Sequence, residues 1–106
     1  MTEVIVVATV SPKPGQEAAV RDAFLAAIPK VHGEPGCGKY ALHEATGDGT
    51  DFVMIERWES MDALGVHSKA EALTELGATL GPLLAGPLDV KTFTAIPAGD
   101  ADKGTI

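Results

Sequence analysis

Two side chains nine residues apart, Trp58 and His67, are the pair best suited to do chemistry together. Trp58, the only tryptophan, ends the run Phe52-Val53-Met54-Ile55-Glu56-Arg57-Trp58, whose aromatic and β-branched content reads as a strand. His67 falls two turns into the segment that follows, and a helix folded back over the sheet can bring its imidazole opposite the indole. An imidazole with an unperturbed pKa of about 6.5 serves as a base at neutral pH. An indole offers a flat face for stacking and one N–H donor. Glu56 lies on the Trp58 side of the strand by two-residue parity, within reach of the same place, with Lys91 or Arg57 as alternative partners. Each residue also has a plain structural reading, the tryptophan as core or dimer interface and the histidine as a surface group.

Other motifs carry less. Gly33-Glu34-Pro35-Gly36-Cys37-Gly38-Lys39 is one residue from a phosphate-binding loop, with Tyr40 where a serine or threonine would hold magnesium. Its context rejects a nucleotide: such loops run from strand into helix, whereas here the order is helix then strand, so the glycines read as a helix stop. His32, His43 and His67 lie on separate elements without close ligand spacing, and the lone Cys37 cannot build a thiolate site, so no metal is expected. Cys37 reads as a small buried hydrophobe.

The elements that must position these residues follow from hydrophobic period. The β-branched run Glu3–Val10 is stopped by Ser11-Pro12-Lys13-Pro14-Gly15. From Gln16 onward Val20, Phe24, Ala27, Ile28 and Val31 recur at helical spacing, with Pro29 expected to kink the last turn. Lys39–Glu44 alternates as a strand, Thr46-Gly47-Asp48-Gly49-Thr50 reads as a hairpin loop, and Asp51–Trp58 returns. Ser60 is the expected N-cap of a helix over Met61–Lys69, with Ala70–Leu84 continuing helically through Leu73, Leu76 and Leu80 and broken at Gly81-Pro82 and Gly86-Pro87. Leu88–Ile96 alternates as the last strand, and the small polar segment Pro97–Ile106 reads as a mobile or partner-clasping tail, leaving residues 1–96 as the domain.

The order β-α-β-β-α-β predicts an α+β, ferredoxin-like fold with an antiparallel four-stranded sheet and the helices on one face. A chain of 106 residues, 45% apolar and 22% charged, makes one such domain. The strands are apolar on both sides: Val4, Val6, Ala8 and Val10 oppose Ile5 and Val7, and Phe52, Met54 and Trp58 oppose Val53 and Ile55. A second copy of the same sheet is the simplest cover for the helix-free face, which predicts a homodimer. Eight basic against 15 acidic residues, a net charge of −7, argue against nucleic acid and anionic membranes. The apolar stretch Val4–Val10 is far shorter than a membrane span and has no basic flank, so a soluble cytoplasmic protein is expected.

The chain resembles the antibiotic biosynthesis monooxygenase family, which includes quinol monooxygenases. The residues that carry the likeness are Pro14-Gly15, Glu34-Pro35-Gly36-Cys37 with Tyr40, Val53-Met54-Ile55-Glu56-Arg57-Trp58-Glu59-Ser60, and His67, spread from about Glu3 to Ile96. The resemblance implies a dimeric α+β barrel in which two sheets pack face to face. It also implies oxygenation of a small phenol or hydroquinone by molecular oxygen with no metal, flavin or haem. Ground-state oxygen is a triplet, so an electron-rich substrate anion must itself supply an electron; the protein deprotonates the substrate and holds it dry. On this pattern His67 is the base, while Trp58 stacks on the ring and offers its N–H to a peroxy oxygen. Tyr40 adds a hydrogen bond, and Phe24, Phe52, Met54, Leu76 and Leu80 line the cavity with Glu56 at its border.

Two departures bear on the reaction. The polyketide-acting branch carries an asparagine four residues before its tryptophan, where this chain has Met54. Haem-degrading relatives need an asparagine on the first strand, and this chain contains none at all. Two other functions therefore stand beside the monooxygenase: a non-catalytic dimeric module that binds a hydrophobic aromatic, and an isomerase or aldolase that uses His67 to shuttle protons without oxygen.

Overall fold

The computed structural model describes residues 2–106; residue 1, counted above in the domain, lies outside them. The chain runs β1 (Val4–Val10), α1 (Glu17–His32), β2 (Cys37–Glu44), β3 (Phe52–Trp58), α2 (Met61–Ser68), α3 (Glu71–Leu80) and β4 (Asp89–Phe93), with a single 3-10 turn over Gly81–Leu83 before the last strand. The strands form one four-stranded sheet in the order β2-β3-β1-β4, with every neighbouring pair antiparallel. This is the ferredoxin-like arrangement that the element order predicts.

Alternation in β1 and β3 decides which side chains meet the helices. Val4, Val6, Ala8 and Val10 are buried, as are Phe52, Met54, Glu56 and Trp58, while the residues between them are half-buried. The register sets Val4 opposite Trp58, Val6 opposite Glu56 and Ala8 opposite Met54, so one face carries an apolar row that ends in a carboxyl group and an indole. Val20, Phe24, Ala27 and Val31 of α1 and Ala72, Leu76 and Leu80 of α3 close over that row to form the core. An exposed ion pair from Lys30 to Glu75, 3.1 Å long, joins the two helices.

α1 ends at His32, just before the glycines that read as its stop, with Pro29 inside its last turn. Two later boundaries differ from those expected. The helical stretch after Ser60 breaks at Lys69–Ala70, where Ala70 turns extended with ψ 154°, so α2 and α3 are separate helices. Ser60 caps α2 as expected, its hydroxyl accepting from the Ala63 N–H at 3.1 Å. β4 ends at Phe93 rather than Ile96. The last residues turn back, with the Asp100 carboxylate accepting from the backbone N–H groups of Asp102 and Lys103, and Arg57 donating to the Ile106 carbonyl at 2.9 Å. Among the described residues no helix is long and apolar enough to cross a membrane.

Candidate active site

His67 projects from the last turn of α2 onto the sheet and is 4% exposed. Its ring stacks on Trp58 with centroids 4.4 Å apart and planes at 27°, and meets the edge of Tyr40 at 5.5 Å. Nδ1 is 2.7 Å from Oε1 of Glu34, and Nε2 is 3.9 Å from Oε1 of Glu56, too far for a hydrogen bond. That same Glu56 oxygen accepts the indole N–H of Trp58 at 2.8 Å.

The Trp58 indole is thus fully engaged. It is wholly buried, its face lies on the imidazole and its N–H is spent on Glu56, so it is not placed to hydrogen-bond a peroxy oxygen or to stack on a substrate, the role its resemblance implied. Parity explains the pairing: residues i and i+2 of a strand project on one side, which brings the Glu56 carboxyl beside the indole.

Electrostatics sharpen this corner. Burial pushes the Glu56 carboxyl above the usual carboxylate range and Glu34 adds to the rise, against the opposing pull of the Trp58 hydrogen bond and His67. The Tyr40 hydroxyl is pushed well above its ordinary value by burial first, then by Glu56 and Glu34. The Cys37 thiol is raised by burial and by the same two glutamates, which agrees with an inert side chain rather than a nucleophile.

A cavity of about 300 Å³ opens beneath α2 and α3 next to this cluster. Glu56, His67 and Tyr40 border it at one end, Phe24, Met54, Leu76 and Leu80 form its walls, and Leu88 and Val90 lie at the other end, where both are exposed. It is an apolar slot with its ionisable groups gathered on one side, near the lower bound for ligand pockets. Of the residues expected to line it, Phe52 does not. It borders a separate groove of about 620 Å³ with Leu25, Ile28 and Leu42, at the β2 edge of the sheet.

One member of the site has no functional role in the sequence reading. Glu34 reads there as part of a helix stop, yet its carboxylate is the direct partner of His67. Gly36 makes this possible. With φ at +78° it forms the turn, and a Cβ there would stand 2.6 Å from the Cβ of Ala63, so only glycine lets the turn close on α2 one helical turn before His67.

The antibiotic biosynthesis monooxygenase family model matches residues 3–78. Rv0793 of Mycobacterium tuberculosis, provisionally named a monooxygenase, is 32% identical over 98 residues, 92% of this chain and 96% of that protein. Its solved structure superposes with a TM-score of 0.83, covering 94% of this chain and 99% of that one. A crystal structure from Caulobacter crescentus, provisionally named an antibiotic biosynthesis monooxygenase, is 31% identical with a TM-score of 0.83 over 90% of this chain and 91% of that one. YcnE of Bacillus subtilis, also provisionally a monooxygenase, is 35% identical over 57 residues, 54% of this chain and 60% of that protein.

Proposed function

The chain belongs to the antibiotic biosynthesis monooxygenase family, and on that premise we propose that it oxidises a small phenolic or hydroquinone-type aromatic with molecular oxygen and without metal, flavin or haem. The observation that carries the reading is His67: an imidazole at the border of an apolar cavity of about 300 Å³, flanked by Glu56 and Tyr40, a volume in the range of small-ligand pockets. An aromatic hydroxyl placed at the polar end gives its proton to His67. The resulting anion is electron-rich enough to pass an electron to oxygen, and the apolar walls shield it from bulk water. Tyr40 and the Glu56 carboxyl orient the ring through its oxygens.

The working unit in this proposal is a homodimer. Ile5, Val7, Val53 and Ile55 leave the helix-free face apolar and half-buried, and Phe93 stands 49% exposed beside Ile5 on β4. A second sheet laid on that face raises the burial fraction of a small chain toward that of one of about 212 residues, twice the 106 here.

Oxygen uptake with a naphthohydroquinone tests the base. The rate should fall by about 100-fold or more in His67→Ala, the usual contribution of a general base. Equal rates for the two proteins at every pH sink the assignment. One observation favours a second reading: the raised Glu56 carboxyl and His67 form a proton-handling pair in one cavity, which suits an isomerase working without oxygen. Turnover of a cyclic carbonyl compound under anaerobic conditions supports that reading.

A further inference from the structure

Resting on the reading of His67 as the base, we propose that Glu34 is a positioning residue whose carboxylate holds His67 in the tautomer protonated at Nδ1. The Nε2 lone pair is then the one available to a ligand.

A neutral imidazole carries one N–H, and the partner of each nitrogen decides which. An ionised carboxylate only accepts, so at 2.7 Å from Glu34 Oε1 the hydrogen belongs on Nδ1, in the range of a charge-assisted bond. The other Glu34 oxygen, Oε2, is buried and has no hydrogen-bond partner among the described residues. The His67 N–H therefore bears alone on a desolvated carboxylate, and a tautomer without it would leave a buried acceptor wholly unmet.

The turn cannot swing aside to relax this. The Gly36 carbonyl accepts the Glu59 N–H at 2.8 Å, and the backbone of Gly36 lies against Ala63. Ala63 is four residues before His67 and shares its side of α2, so one contact fixes the approach of both ends of the hydrogen bond. The remaining neighbours do not compete for Nδ1. Glu56 from β3 faces Nε2 at 3.9 Å, Tyr40 from β2 meets the ring in an edge contact, and Trp58 covers its face. Cys37, at the start of β2, is close enough to Glu34 and Glu56 for both to raise its thiol.

Without the carboxylate the same ring is free to carry its hydrogen on Nε2, where it donates and cannot take a proton from a substrate hydroxyl. This is the logic by which a buried aspartate orients the histidine of a serine-protease triad, found here on an unrelated fold.

Long-range proton–nitrogen correlation spectra of the 15N-labelled protein read the tautomer with no substrate present, the His67 signals being assigned by their loss in His67→Ala. The natural protein should show Nδ1–H. Glu34→Gln should populate Nε2–H, because an amide can donate to Nδ1, and Glu34→Asp, which keeps the carboxylate, should retain Nδ1–H. With a naphthohydroquinone, kcat should fall about 100-fold in Glu34→Gln with KM little changed, and recover in part in Glu34→Asp. An Nε2–H signature in the natural protein overturns the proposal, and needs no variant to fold. So does a folded Glu34→Gln whose His67 stays Nδ1–H. The two readings fail separately: a tautomer switch in a protein that consumes no oxygen upholds the role of Glu34 and removes the base, whereas His67-dependent uptake with an unswitched tautomer does the reverse.

Discussion

The two faces of the sheet are made by the same strands and differ in what they ask of their side chains. On the helix face every position of β1 and β3 is buried, and the row ends in Glu56 and Trp58, polar side chains that meet each other in a hydrogen bond inside the fold. On the other face Ile5, Val7, Val53 and Ile55 are half-buried, Arg57 reaches the Ile106 carbonyl, and Phe93 is open. One face is finished within a single chain, the other is not. Substitutions one residue apart in β3 should thus act on different properties, the even positions on stability and chemistry and the odd ones on association.

The largest effect should come from Trp58→Ala on the finished face. It opens a cavity under α2, removes the stacking on His67 and strips Glu56 of its hydrogen bond, and urea denaturation should show a loss of about 3–5 kcal/mol. A loss below about 1 kcal/mol would show that the helix face is less tightly built than its burial says. Ile55→Asp sets a charge in the middle of the unfinished face. We expect a folded chain that associates on the order of 100-fold more weakly, about 3 kcal/mol, read by sedimentation equilibrium. If the natural protein and the variant are both monomers at high concentration, the open face is not a dimer surface.

The smallest effect is a slope. Glu56 is raised in the folded state, so the protonated carboxyl is favoured there; its contribution is fully present below the ordinary carboxylate pKa and is lost as pH rises through the raised value. Stability of the natural protein should fall over that window relative to Glu56→Gln, which keeps the shape without the ionisation. Parallel stability curves for the two would mean that the Trp58 N–H and His67 offset the burial of the carboxylate in full.

The strands and α1 are legible because their signals are local: β-branched alternation, helical spacing of Val20, Phe24, Ala27 and Val31, and proline–glycine stops between them. The break at Ala70 is not, since apolar spacing continues on both sides and only the backbone angle of one alanine divides the helices. Parity puts Phe52 on the helix face correctly but says nothing of where along the strand a cavity ends, and Phe52 faces the β2 groove instead. The family pattern names His67, Tyr40, Glu56, Met54, Leu76 and Leu80, and the fold gathers them around one cavity. Glu34 stands in that pattern without a legible role, because its partner lies 33 residues away and the meeting depends on a close approach between Gly36 and Ala63.

The stack of Trp58 on His67 also makes the site observable by light. Trp58 is the only tryptophan, so all indole emission comes from a ring lying 4.4 Å from the imidazole. The intrinsic fluorescence of the unlabelled protein should therefore change with any ligand or substitution that disturbs the packing of the imidazole on the indole.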